Sequence, residues 1–133
     1  MKDKKVVVGV TGGIASYKAA ELVRLLVKAG AHTKVAMTAH ATRFVAPLTF
    51  EALSGNRVVW DMWAPETEPM AHINWGQDSD LVIIAPATAD FIGKMAHGVG
   101  DDFLSTVVIA ATANILVCPS MNARMFQSRA VQD

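Results

Sequence analysis

Cysteine is nearly absent: Cys118 is the only one in 133 residues. An internal disulfide is thereby excluded, and so is a thiolate cluster around a structural metal. His, Asp and Glu nowhere fall into ligand spacing, so no metal site is expected. Neither charge sign is in excess, with Lys+Arg and Asp+Glu at 12 each. That leaves no global basic field to attract nucleic acid. No apolar run reaches about 18 residues, the minimum for a membrane-spanning helix, so none is expected. The opening Met1-Lys2-Asp3-Lys4-Lys5 lacks a small-residue cleavage site and runs straight into a strand-like segment, which argues against a secretory signal. A reducing cytoplasm is the expected setting. Repeats, low-complexity tracts and linkers are also missing, and the length suits a single domain over 1–133.

What the chain has in abundance is apolar residues, 52% against 18% charged. Strands buried on both faces would explain this, and so would a surface covered by other subunits. The runs are ordered. Lys5 to Thr11 reads as a buried strand, rich in β-branched residues, and Gly12-Gly13 as a turn. Ser16 to Ala29 has helical periodicity with Ala19, Leu22, Val23 and Leu26 on one face, and Gly30 is placed to cap it. Thr33 to Thr38 reads as a strand. Pro47 opens a short helix that Gly55 closes. Trp60 to Pro69 reads as a loop. Leu81 to Ala85 is a strand that Pro86 should stop, and Ala89 to Ala96 is helical. A helix is expected from about Asp102 to Ala111, then a strand over Ile115 to Cys118 stopped by Pro119. Strand alternating with helix predicts a doubly wound, Rossmann-like or flavodoxin-like parallel sheet, helices on both faces, in three layers.

Such sheets bind ligands beyond the carboxyl ends of their strands, so the residues after each strand are the candidates. Gly12 and Gly13 permit positive φ and a close backbone approach, and the helix that follows aims its N–H groups there. A phosphate fits, and a tight turn without a ligand fits equally. The spacing is neither Gly-x-Gly-x-x-Gly nor a P-loop. Thr38 and Thr88 offer hydroxyls to a phosphate or polyol chain, or cap helices. Pro86-Ala87-Thr88-Ala89 forms a shelf on which a flat ring can lie, and Pro119-Ser120-Met121-Asn122 repeats it one strand later. His32 and His40 read as surface residues, His97 as a helix-end residue, and His72, by position alone, as a surface residue too. Asp101-Asp102 reads as an acidic helix start, Cys118 as packing. Trp60, Trp63 and Trp75 are equally readable as core, subunit contact or ligand neighbours.

Four segments, in order and register, resemble the homo-oligomeric flavin-containing cysteine decarboxylases. Thr11-Gly12-Gly13-Ile14-Ala15-Ser16-Tyr17-Lys18 is similar to that family's phosphate-binding motif. Met70-Ala71-His72-Ile73 resembles the segment bearing its active-site histidine. Pro86-Ala87-Thr88-Ala89-Asp90 resembles Pro-Ala-Ser/Thr-Ala-Asn. Pro119 to Phe126 resembles Pro-x-Met-Asn-x-x-Met-Trp. Val99 to Thr106 is typical of the branch acting on 4'-phosphopantothenoylcysteine in coenzyme A biosynthesis. Asp90 departs from asparagine and Phe126 from tryptophan. The chain stops at Asp133, before the position of the family's substrate clamp and its proton-donating cysteine; Cys118 does not match that residue.

The resemblance implies FMN as cofactor. Gly12, Gly13, Ile14, Thr38 and Thr88 would hold its phosphate and ribityl chain. Ala85, Pro86, Ala87 and Met121 would line the flavin, and Phe44 would flank ring or substrate. It implies that His72 is the catalytic base on the thiol side and that Asn122 holds the substrate carboxylate. Assembly as a trimer or dodecamer with flavin between subunits is implied too, with residues 60 to 76 expected at the interface. The implied reaction is oxidative decarboxylation of 4'-phosphopantothenoylcysteine to 4'-phosphopantetheine by a carboxy-lyase. Alternatives are decarboxylation of a C-terminal peptidyl cysteine and a non-catalytic FMN-binding or regulatory role. A flavin prenyltransferase, with Gly-Ala-Ser-Gly in the first motif, is disfavoured by Gly12-Gly13-Ile14-Ala15.

Overall fold

A computed structural model describes residues 1–132. Four parallel strands, β1 (Lys5–Val10), β2 (His32–Met37), β3 (Leu81–Ala87) and β4 (Asn114–Pro119), form one sheet in the order β2-β1-β3-β4. On one face lie α1 (Ser16–Lys28) and α2 (Pro47–Ser54); on the other lie α3 (Ala71–Asp78), α4 (Ala89–His97) and α5 (Phe103–Ala110). Two one-turn helices, α6 (Ala123–Phe126) and α7 (Arg129–Gln132), follow β4. The expected three-layer, doubly wound fold is the one observed.

Strand alternation divides the apolar residues between the layers. Val6, Val8 and Val10 of β1 meet Val35 and Met37 of β2 and Val23 and Leu26 of α1 in one core. Val7, with Val82 and Ile84 of β3, meets Phe91, Phe103, Leu104 and Val107 in the other. Phe50, Phe91 and Phe103 are wholly enclosed. Each large side chain buried this way contributes about 1.5–3 kcal/mol. Gly9 sets the spacing of the second core: a Cβ there would come within 2.6 Å of Leu104 Cδ1. Its bare backbone lets α5 lie close to the sheet.

The topology creates the functional end. From β1 the chain steps outward to β2, then crosses back to lay β3 on the opposite side of β1. The crossovers leaving β1 and β3 therefore diverge, and a crevice opens beyond the carboxyl ends of these two strands.

Several local expectations need correction. The segment 71–78, for which no helix is expected, forms α3, packed on α5, because Ala71 and Gly76 bury themselves there and Trp75 meets Phe103 edge to face at 5.1 Å. Pro86 does not end β3, which continues to Ala87. The β3–β4 register shifts between Ile84 and Ala87, so the proline, lacking an N–H, falls where the ladder is already interrupted. The Ala85–Pro86 bond is cis. Among the described residues the glycines with positive φ are Gly30, Gly55 and Gly98, which close α1, α2 and α4. Gly12 and Gly13 do not use that freedom.

Candidate functional site

An open cleft of about 800 Å3 lies beyond the carboxyl ends of the strands. That volume suits a ligand of nucleotide size. The loop after β1 supplies Thr11, Gly12, Gly13 and Ile14; the loop after β2 supplies Thr38, Ala39 and His40. The start of α4 adds Thr88 and Ala89, and the segment after β4 adds Ser120, Met121 and Asn122.

Hydrogen bonds shape the first loop. The buried Thr11 hydroxyl donates to the Pro86 carbonyl and accepts from Thr88 N at 3.0 Å, tying the ends of β1 and β3 together under the cleft. Ser16 Oγ donates to Thr11 O at 2.9 Å and accepts from Gly13 N at 3.3 Å. Among the described residues, the amides of Gly12 and Ile14 have no partner within the chain. Helix α1 begins without a side-chain cap and without an acidic residue in its first turn. Unpaired amides beside an uncapped helix start favour an anion.

Gly12 is required by close approach. A Cβ there would sit 2.4 Å from His40 Cβ and 2.9 Å from the His40 carbonyl carbon. Gly12→Ala is therefore expected to push the two loops apart and cost about 1–3 kcal/mol in stability. Urea unfolding measures the loss, and a midpoint equal to that of the wild type would contradict it.

The hydroxyls carry two duties. Thr38 Oγ1 accepts from Ala41 N at 3.2 Å, and Thr88 Oγ1 accepts from Phe91 N at 3.2 Å. Thr88 caps α4 and Thr38 holds the turn before Ala41, yet each keeps its own proton free for a ligand lone pair. Asn122 is asymmetric in the same way. Its Oδ1 accepts from Arg124 N at 2.8 Å and starts α6, so the amide NH2 is left to donate. An exposed NH2 beside a cleft is a carboxylate or carbonyl binder.

The part of the lining formed by α4 and α5 is charged. Lys94 Nζ stands 3.4 Å from Asp90 Oδ2 and 3.2 Å from Asp101 Oδ2. Burial works to lower the Lys94 pKa, but the Asp101 and Asp90 carboxylates outweigh it and hold the ammonium above its ordinary value. Asp102 Oδ1 accepts from Ser105 N at 2.8 Å and from Ser105 Oγ at 2.6 Å in a capping box.

Of the expected site residues, Gly12, Gly13, Ile14, Thr38, Thr88, Met121 and Asn122 meet in this cleft. The others do not line it. Phe44 follows a 3-10 turn and is 53% exposed. Ala85 and Pro86 face a separate groove beside Lys18, Leu22 and Cys118. Ala87 is sealed in the core under α4. His72, half-buried in the first turn of α3, stands outside the cleft of its own chain. Thr11 and His40, at the ends of β1 and β2, line the cleft as those positions imply, whereas Lys94, within α4, carries no such signal in the sequence. Trp75 is partly buried, with Lys34 over its ring at 5.2 Å, whereas Trp60 and Trp63 are exposed. Among the described residues no three metal-ligating side chains cluster, and no helix is long and apolar enough to cross a membrane.

The family model described as Flavoprotein matches residues 1–133. The coenzyme A biosynthesis bifunctional protein CoaBC of Vibrio cholerae is 45% identical over 134 residues, which covers 100% of this chain and 34% of the relative. The protein of the same name from Bacillus subtilis is 46% identical, covering 99% of this chain and 33% of its own. The chain thus spans about a third of the length of these curated relatives. Among solved structures, the FMN-dependent cysteine decarboxylase SpaF superposes with a TM-score of 0.90 at 32% identity, over 97% of this chain and 75% of that one.

Proposed function

Because this chain belongs to the Flavoprotein family, we propose that its cleft holds FMN and serves the decarboxylation of 4'-phosphopantothenoylcysteine to 4'-phosphopantetheine. One observation carries the proposal: two unpaired loop amides, two hydroxyls with free protons and the NH2 of Asn122 share one cleft at the switch point of the sheet. The similarity to proteins named for coenzyme A biosynthesis and to a protein named an FMN-dependent cysteine decarboxylase supports the choice of chemistry.

The residues fit the cofactor. Gly12 and Ile14 offer amides to its phosphate and Gly13 lets it approach the loop closely, Thr38 and Thr88 offer hydroxyls to phosphate or ribityl oxygens, and Met121 offers an apolar side chain to the ring. Bound FMN would supply a two-electron sink for the cysteine CH2–SH unit, accepting a hydride equivalent from the CH2 carbon, so that the carboxylate, then beta to a C=S bond, could leave as carbon dioxide. The Asn122 NH2 holds that carboxylate. His72 accepts the thiol proton.

His72 lies outside its own cleft, so this role requires a second copy to bring it in. Its neighbourhood suits that arrangement: Trp63 is 87% exposed, and Trp60 and Met70 are also open to solvent. Large apolar side chains grouped on a surface suit burial against another subunit. A trimer or a larger homo-oligomer, in the cytoplasm, completes the reading.

The test is to incubate FMN-loaded protein with 4'-phosphopantothenoylcysteine and follow the substrate by mass. Loss of carbon dioxide, with or without the final return of hydrogen, is the expected result. Unchanged substrate in the presence of bound FMN would overturn the catalytic part and favour a flavin-binding role alone.

A further inference from the structure

The cleft is not uniformly suited to an anion. Its loops present amides and hydroxyls, but the α4–α5 part of its lining presents Asp90, Asp101 and Asp102 against a single cation, Lys94. Asp102 is engaged by the start of α5. Among the described residues, Asp90 and Asp101 pair with Lys94 alone, which sits between them. Its side chain is 27% exposed, while those of Asp90 and Asp101 are 70% and 52% exposed. The ammonium is thus the more enclosed partner, held on a flexible stem at the cleft wall.

We propose that Lys94 is a positioning residue that balances the acidic part of the cleft and thereby lets it favour a flavin bearing a phosphate over one without. This rests on the reading that FMN occupies the cleft. A phosphate carries nearly two negative charges at neutral pH. Asp90 and Asp101, left unbalanced, would repel it across the cleft. Charges interact in proportion to 1/εr, and salt screens them. With Lys94 in place the repulsion is offset, and the phosphate is directed to the amides of Gly12 and Ile14, where no carboxylate lies in the first turn of α1. Riboflavin has the same ring and polyol chain but no phosphate, so it should be nearly indifferent to Lys94.

The experiment titrates the apoprotein with FMN and with riboflavin, following flavin fluorescence, in the wild type, Lys94→Gln and Asp101→Asn. Lys94→Gln is expected to weaken FMN about five- to tenfold at low salt while shifting riboflavin by less than about twofold. Asp101→Asn is expected to tighten FMN by about two- to threefold, and both effects should shrink at high salt. A merely structural Lys94–Asp101 link would give the two variants the same sign. Equal weakening of both flavins in Lys94→Gln, or no tightening of FMN in Asp101→Asn, overturns the proposal while leaving FMN in the cleft. A wild type that binds neither flavin overturns the FMN reading and this inference with it.

Discussion

His72→Asn is expected to keep FMN bound and to lower decarboxylation by about 10²–10⁴-fold, the usual contribution of a positioned general base. The two halves of this result have separate causes. The loop amides and hydroxyls that would hold the flavin belong to other segments and are unchanged, so flavin retention should be untouched. Asparagine keeps a polar side chain in the first turn of α3, and the buried neighbours Ala71 and Gly76 remain to seat that helix. Asparagine cannot take a proton near neutral pH, so the step assigned to His72 is lost. Carbon dioxide release in single-turnover mixing measures it. Undiminished turnover would remove His72 from the mechanism. A subunit-exchange experiment then locates the residue. Mixed oligomers of His72→Asn and Asn122→Asp chains should regain part of the activity, because some clefts would combine an intact Asn122 with an intact His72 from the neighbouring chain. No recovery would contradict a shared site.

Asn122→Asp should be nearly as damaging, by about 10²–10³-fold in kcat/KM. Asn122 caps α6 through Oδ1. An aspartate caps equally well, so the local backbone should hold. What disappears is the NH2, the group free to donate into the cleft. In its place stands a carboxylate facing the substrate carboxylate, and like charges at such range oppose each other. The loss should fall largely on KM, since binding is opposed before chemistry begins. Bound FMN should survive in this variant as well. A variant with wild-type KM would show that Asn122 does not hold the carboxylate.

The fold was largely legible because its physical determinants are local. Continuous β-branched runs such as Val6-Val7-Val8 cannot be half-exposed, and they became two-sided strands. Pro47 and Gly55 bracket α2 as their backbone preferences require. Residues Ala71–Asp78 gave no such signal. Their helix depends on Ala71, Trp75 and Gly76 finding α5, a partner distant in sequence. Pro86 misled for a related reason: a proline ends a strand only where the ladder needs its N–H, and the register shift removes that need. In the site, the Gly12 and Asn122 segments were readable because they directly follow strands. The pairing of Lys94 with Asp101 was not, since it depends on how the loop between α4 and α5 folds back. Phe44 and Ala85 rested on the family resemblance, and Pro86 and Ala87 on the shelf expected after β3; adjacency in sequence does not decide which side of the sheet a residue faces.

The most direct test of the central claim is the visible absorption spectrum of the freshly purified protein, with the released chromophore identified by mass. A flavin spectrum with FMN as the released molecule is the expected result. A colourless protein that stays colourless after FMN is added to the folded chain would contradict it, and the cleft would then need a different ligand.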